Sequence, residues 1–217
     1  MRIAMLGATG RIGSRIVREA LDRGHRVTAL VRDLRREVPD TVGKREADLA
    51  DPESIADAVR GHDAVVSALG GSGGRAQVVA EAAGVLLEAL PRAGVQRLLV
   101  VGGAGSLRWP HLPGVDGVDA PGFPAAWRPA ALAQRRALAI YRAADTKVDW
   151  TYLSPADVIE PGLRTTRFTL GTDRFVVDRA GRSRISTEDY AVALVDELER
   201  GDFPQERFTV GYGADDA

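Results

Sequence analysis

The chain has 217 residues, enough for one α/β domain with a full core. With 45% hydrophobic and 27% charged residues it has the composition of a globular protein, and a net charge of -1 argues against nucleic acid or an anionic membrane as partner. The lack of cysteine excludes disulfides, thiolate metal sites and thiol nucleophiles, and the basic residues comprise 27 arginines and only two lysines, Lys44 and Lys147.

The first apolar run, ending at Gly7, is too short for a signal-peptide core. Nowhere do about 18 apolar residues run together, so the expectation is a cytoplasmic protein without a transmembrane helix. Strands are predicted at 2–6, 26–31, 64–68 and 97–101, all aliphatic or β-branched on both faces, as parallel strands covered by helices must be. Helical spacing fills the intervals at 11–23, 52–60 and 76–93, the last stopped by Gly94, and 46–49 is expected to close another short strand. From 102 to 126 the chain is rich in glycine and proline and carries Trp109 and Phe123, the pattern of a long irregular loop of the kind that serves as a lid. A helix at about 130–144, a strand at 149–153, a β-rich stretch at 167–177, a helix at 187–200 and a strand at 207–211 complete the prediction. The expected fold class is α/β, a Rossmann doubly wound parallel sheet forming one domain over 1–217. A small C-terminal lobe is interleaved with it, its substrate-side segments lying around 103–128 and 160–186.

Directly after the first strand stands Gly7-Ala8-Thr9-Gly10-Arg11-Ile12-Gly13, which opens the first helix. A strand-to-helix turn with these glycines lets backbone approach a pyrophosphate, whose charge then meets the free N–H groups of the helix N-terminus. The spacing is G-x-x-G-x-x-G, and its strand–turn–helix setting favours dinucleotide binding over a bare tight turn. At the end of the second strand, an acid would accept from a ribose 2′-hydroxyl and an arginine would pair with a 2′-phosphate. Arg32 comes first there, with Arg35 and Arg36 following, and this favours NADP; Asp33 leaves NAD open.

Together with Val31-Arg32-Asp33, Ala47-Asp48-Leu49, Ser67-Ala68-Leu69-Gly70 and Trp150-Thr151-Tyr152-Leu153-Ser154-Pro155-Ala156, the glycine turn resembles the atypical short-chain dehydrogenase/reductase group. More narrowly, the chain is similar to the NADH–flavin reductase group, related to NmrA-like and biliverdin/flavin reductase proteins. The resemblance continues through Ser183-Arg184-Ile185-Ser186 and Asp189-Tyr190-Ala191. It implies that Asp48 and Leu49 lie beside adenine, that Ala68, Leu69 and Gly70 border the pyrophosphate and ribose, and that Pro155 lies near the nicotinamide. Gly102 and Gly103, where the parent superfamily has a serine or threonine, complete the expected cofactor lining with Gly7, Thr9, Gly10, Arg11, Ile12 and Gly13.

Dehydrogenases of that superfamily use a Tyr-x-x-x-Lys pair whose lysine lowers the tyrosine pKa. No such pair occurs here: no tyrosine precedes Lys44, and Lys147 follows Tyr141 by six residues, beyond i, i+4 reach on one helix face. An arginine stays charged and binds as a planar fork, so it does not replace that lysine. The catalytic residues therefore stay unassigned. What remains compatible is hydride transfer to a flavin, quinone or similar planar acceptor, which delocalises the charge and can take its proton from water. Ser106, Trp109 and His111 on the long loop, and Trp127 after it, are candidates to hold such a ring. Either tryptophan could equally clamp the loop onto the body, and His111 reads as a surface histidine. Asp157 stands close to the position where biliverdin/flavin reductase relatives have a histidine, which counts against bilin-type substrates. Tyr152 reads as core, and three scattered histidines, His25, His62 and His111, support no metal site. The expectation is an NADP-preferring reductase acting as monomer or homodimer. A non-catalytic NADP(H) redox sensor of the NmrA-like type is the alternative, whereas an isomerase or epimerase would need the missing tyrosine and lysine.

Overall fold

The computed structural model describes residues 1–70 and 76–216. Five parallel βα-type strands form first: β1 (Arg2–Leu6), β2 (Arg26–Val31), β3 (Gly43–Glu46), β4 (Ala64–Ser67) and β5 (Arg97–Val101). Between and after them run α1 (Gly13–Asp22), α2 (Pro52–Val59), α3 (Val78–Ala93) and α4 (Arg128–Ala143). The chain then continues through β6 (Asp149–Ser154), β7 (Val158–Glu160), β8 (Thr169–Gly171), β9 (Arg184–Ser186), α5 (Thr187–Arg200) and β10 (Glu206–Gly211). The main sheet has the order β3-β2-β1-β4-β5-β6-β10-β8, parallel except for the antiparallel β8, and β7 pairs with β9 in a separate two-stranded ladder. This is a Rossmann doubly wound sheet.

Its inner strands β1, β2, β4 and β5 are mostly apolar because both faces are covered. Ile3 and Met5 of β1 pack with α1 and α5, whereas Ala4 and Leu6 pack with α2, α3 and the far side of the sheet. The edge strand β3 is exposed along its whole length and carries Lys44, Arg45 and Glu46, charges that discourage pairing with another chain. Helix ends follow local chemistry. Asp51 accepts from the Glu53 N–H to cap α2, Ser186 accepts from Asp189 N–H to cap α5, and Gly94 ends α3 at φ 72.

Three expectations need correction. The third strand ends at Glu46 and not at Leu49. Ala47 N–H still donates to the Val31 carbonyl, but Asp48 N–H is diverted to Ser54 Oγ and Asp48 Oδ1 accepts from Ala50 N–H, which turns the chain into α2. The stretch 167–177 contributes only Thr169–Gly171 to the sheet. Beyond it the backbone pairs with the long loop, since Arg108 N–H donates to the Asp173 carbonyl and Phe175 N–H to that of Arg108. The loop itself is less irregular than predicted. It holds two 3₁₀ turns, Ala104–Ser106 and Gly117–Asp119, and buries Leu107 and Val118 completely.

α5 is tied to the sheet at the end opposite the glycine turn by one buried cluster. Arg97 of β5 donates to Glu197 Oε1 at 2.5 Å and to Thr151 Oγ1 at 2.6 Å, and Glu197 also accepts from the N–H groups of Asp202 and Phe203. Glu197 is almost fully buried, so removing its cation leaves a carboxylate held only by neutral donors, the Thr151 hydroxyl and the N–H groups of Asp202 and Phe203. Arg97→Met is expected to lower stability by about 3 kcal/mol, read as a shift of the urea unfolding midpoint.

Candidate dinucleotide site

Strand order reverses direction between β1 and β4, and at such a switch point the two adjacent turns diverge to leave a crevice at the carboxyl ends of the strands. Gly7 leaves β1 at φ 75, a left-handed conformation, and a Cβ on it would stand 2.4 Å from the Ala68 carbonyl oxygen at the end of β4. Gly13 begins α1 so close to the turn that its Cβ would stand 2.1 Å from the Gly7 carbonyl oxygen. This third glycine is therefore demanded by the turn itself. Gly10 differs, because a Cβ there meets only Gly7 O, at 3.2 Å, and points out of the fold. Ser14 N–H returns to Gly10 O, while the N–H groups of Arg11 and Ile12 have no partner among the described residues. Two free donors at a helix N-terminus form an anion cradle.

The remaining expected positions follow the carboxyl ends of the neighbouring strands. Ala68 and Leu69 are half-buried and Gly70 exposed at the end of β4. Gly102 and Gly103 leave β5, and both are packed against side chains: a Cβ would stand 2.1 Å from the Tyr152 ring at Gly102 and 2.7 Å from Gln134 Cβ at Gly103. Pro155 is buried immediately after β6. Asp48 and Leu49 lie past the end of β3, where Asp48 is exposed and Leu49 packs against the α2 side of the core. All of these lie at the carboxyl edge of the parallel strands.

At the end of β2 the four charges sort themselves. Arg35 holds both carboxylate oxygens of Asp33 at 2.8 to 3.0 Å, and this pairing keeps the Asp33 carboxyl below its ordinary pKa. Arg36 donates to Thr9 Oγ1 at 3.3 Å, leaning over the glycine turn. Lys44 Nζ donates to the Leu34 carbonyl at 2.6 Å and holds this segment in place. Arg32 is exposed and makes no ion pair among the described residues. The interlocking of Asp33 with Arg35 was not legible in the sequence, because side chains two residues apart meet only where the backbone turns.

Proton-relay chemistry finds no support here. Lys147 is exposed just before β6, at the opposite edge of the sheet. Tyr141, Tyr152 and Tyr190 are fully buried, and burial pushes all three phenols upward, away from neutrality. Tyr152 hydroxyl donates to Gln134 and accepts from Gly103 N–H, and Tyr190 hydroxyl donates to the Leu153 carbonyl. The two loop tryptophans have separate fates. Trp109 stacks on Phe175 with ring centroids 4.3 Å apart and lies beside exposed His111, so it clamps the loop. Trp127 is 64% exposed at the start of α4, on the ligand side of the sheet. Ser106 is occupied by Arg207. No group of three His, Asp or Glu that could hold a metal exists among the described residues, and no described helix is long and apolar enough to cross a membrane.

A switch-point crevice with a glycine cradle defines a Rossmann protein built for a dinucleotide. Residues 7–200 match the family described as NAD(P)H-binding, and the chain belongs to that family, within the atypical short-chain dehydrogenase/reductase, NmrA-like group. YwnB, an uncharacterized protein of Bacillus subtilis, is 40% identical over 211 residues, covering 97% of this chain and 98% of the relative. A solved Burkholderia pseudomallei structure, named as a candidate exported protein, is 47% identical with a TM-score of 0.89, covering 98% and 100% of the two chains. A Streptococcus pneumoniae structure named as a candidate NADH–flavin reductase is 35% identical with a TM-score of 0.87, covering 98% and 99%.

The glycine geometry separates folding from binding. Gly13→Ala is expected to cost about 3 kcal/mol through backbone overlap, and Gly10→Ala less than about 1 kcal/mol, both measured by denaturant unfolding.

Proposed function

We propose that this protein is an NADP(H)-preferring oxidoreductase that reduces a flavin, quinone or similar planar acceptor. The observation that carries the reading is a dinucleotide cradle in a chain without a Tyr-x-x-x-Lys pair, where Tyr152, bonded to the Gly103 N–H, is buried with its phenol pushed up. The streptococcal relative named for flavin reduction supports it. Bound NADPH supplies a hydride. The chain's own part is to hold and shield. Gly7, Gly10 and Gly13 let backbone close on the pyrophosphate, and Thr9, Arg11 and Ile12 supply the turn around it. Ala68, Leu69, Gly70, Gly102 and Gly103 border the ribose side, Asp48 and Leu49 the adenine, and buried Pro155 the nicotinamide end. Arg32 has no carboxylate partner among the described residues and is available for a 2′-phosphate, whereas Asp33 would have to leave Arg35 to meet a ribose diol. An acceptor that delocalises two electrons takes its second proton from water, so no matched acid is required.

Trp127 is the platform for that acceptor. α4 runs antiparallel to the strands, so its first turn overhangs the crevice, and Ala131 one turn further along packs on Gly105. An exposed indole that stacks on no aromatic ring among the described residues offers a flat apolar face to a flat ring. A non-catalytic NADP(H) sensor is the second reading, favoured by the same lack of a Tyr-x-x-x-Lys pair.

Three measurements test this. Purified protein with NADPH and a panel of flavins and quinones is expected to show acceptor-dependent oxidation, and no turnover across the panel would sink the reductase in favour of the sensor. Gly10→Val should abolish NADPH binding by calorimetry with the unfolding midpoint near that of the parent, and Arg32→Glu should weaken NADPH about 30-fold while leaving NADH nearly unchanged. Equal losses for both cofactors would overturn the 2′-phosphate role. Trp127→Ala should raise the acceptor KM about 10-fold with kcat retained.

A further inference from the structure

A recess of about 410 Å³ lies between α4, β10 and the loop that follows β5. Its floor is Arg207, a charged residue on an inner strand with its side chain only 2% exposed. Arg207 stands in register with Tyr152 of β6, so both side chains project towards the α4 face. Its guanidinium donates through Nε to Asp173 Oδ1 at 2.9 Å, again through Nη2 to the same oxygen, and through Nη1 to Ser106 Oγ at 3.2 Å. The walls bring three more guanidinia, Arg135 and Arg142 from α4 and Arg108 from the loop, against two lining carboxylates, Asp116 and Asp173.

Each of those carboxylates is shared. Asp173 serves Arg207 and also Arg142 at 3.1 Å; Asp116 serves Arg108 at 3.6 Å and Arg135 at 3.4 Å. Arg135 reaches further out to Asp119 at 2.5 Å, which is not part of the lining. The recess is thus lined by four guanidinia and two carboxylates, and with Asp119 just outside holding Arg135 the cluster keeps an excess of one positive charge. Burial pushes the Asp173 carboxyl up, but Arg207 and Arg142 outweigh it and hold it below its ordinary pKa. Guanidinium forks arriving from floor, helix wall and loop wall suit a tetrahedral oxyanion, which a planar carboxylate would engage from fewer directions.

We propose that this recess is a second ligand site, taking a phosphate group, free or carried on a small molecule. It is separate from the dinucleotide cradle. β10 stands four strands from β1, about 19 Å along the sheet at ordinary strand spacing. Arg108 and Arg142 are about half exposed, and ion pairs of that kind exchange partners readily, so the walls can turn from Asp116 and Asp173 to an incoming anion. The site also touches the main crevice from behind, because Ser106 ends the 3₁₀ turn that starts beside Gly103.

The test uses the full chain saturated with NADP, so that the cradle at α1 does not compete. Inorganic phosphate is titrated in one arm and glycerol 3-phosphate in another, against chloride at matched ionic strength, by calorimetry and phosphorus NMR. One saturable site per chain is expected, with affinity lost at least 10-fold in Arg142→Ala and in Arg135→Gln, while NADP affinity and unfolding midpoint stay at the parent values. Tighter binding of glycerol 3-phosphate would identify a phosphorylated small molecule as the ligand, and equal binding would identify free phosphate. No saturable heat beyond chloride, or unchanged phosphate affinity in both variants, overturns the proposal. Both substituted residues are at least a third exposed, so loss of binding is separable from loss of fold.

Discussion

The architecture around the crevice depends on how closely three backbone segments approach one another. The Gly7 carbonyl sits where a Cβ on Gly13 would be, and the Ala68 carbonyl sits where a Cβ on Gly7 would be. No L side chain fits either place, and Gly7 also needs a positive φ. These two contacts pin the start of α1 to the end of β1 and the end of β1 to the end of β4. The turn after β4 is thereby held against the glycine turn, whose Arg11 and Ile12 N–H groups have no partner among the described residues. Gly10 is the one glycine of the three whose freedom the fold does not consume, which leaves it for a ligand.

Electrostatics around this crevice arise from pairing more than from net charge. A chain of near-zero net charge still presents a local cationic edge, because Arg35 neutralises Asp33 while Arg32 stays without a carboxylate. The same arithmetic operates in the recess beside β10, where four guanidinia share two carboxylates. The abundance of arginine over lysine has a structural consequence here. Planar forks bridge several acceptors at once, as Arg23 does with Glu19, Asp196 and Glu199 and as Arg97 does with Thr151 and Glu197. A lysine offers a point charge and could not tie three elements together in this way.

Much of the fold was legible because its signals are local. Apolar runs on both faces identify β1, β2, β4 and β5 as buried parallel strands, and Ser186 three residues before Asp189 marks the start of α5. The misjudged elements are those decided by partners far away in sequence. Residues 173–175 have strand-like composition, yet they pair with Arg108 of the loop and leave the sheet. Asp48 was expected to extend β3, but its N–H is taken by Ser54. β7 and β9 are three residues each, too short for periodicity to reveal, and exist because 158–160 and 184–186 are brought side by side.

The sequence by itself determined the class of protein: a glycine turn between a buried strand and a helix, in a chain with two lysines and no Tyr-x-x-x-Lys pair, already describes a dinucleotide cradle without the usual relay. Backbone conformation and residue type set those features, and both are local. Only the tertiary structure decided which charges are spent and which are available. Asp33 is consumed by its neighbour, Trp109 is consumed by Phe175 and Trp127 is left free. Arg207 is buried on a strand whose sequence gives no hint of a cation-lined recess. Pairing of this kind depends on distances of 3 to 4 Å between residues up to a hundred positions apart, and no local rule carries that information.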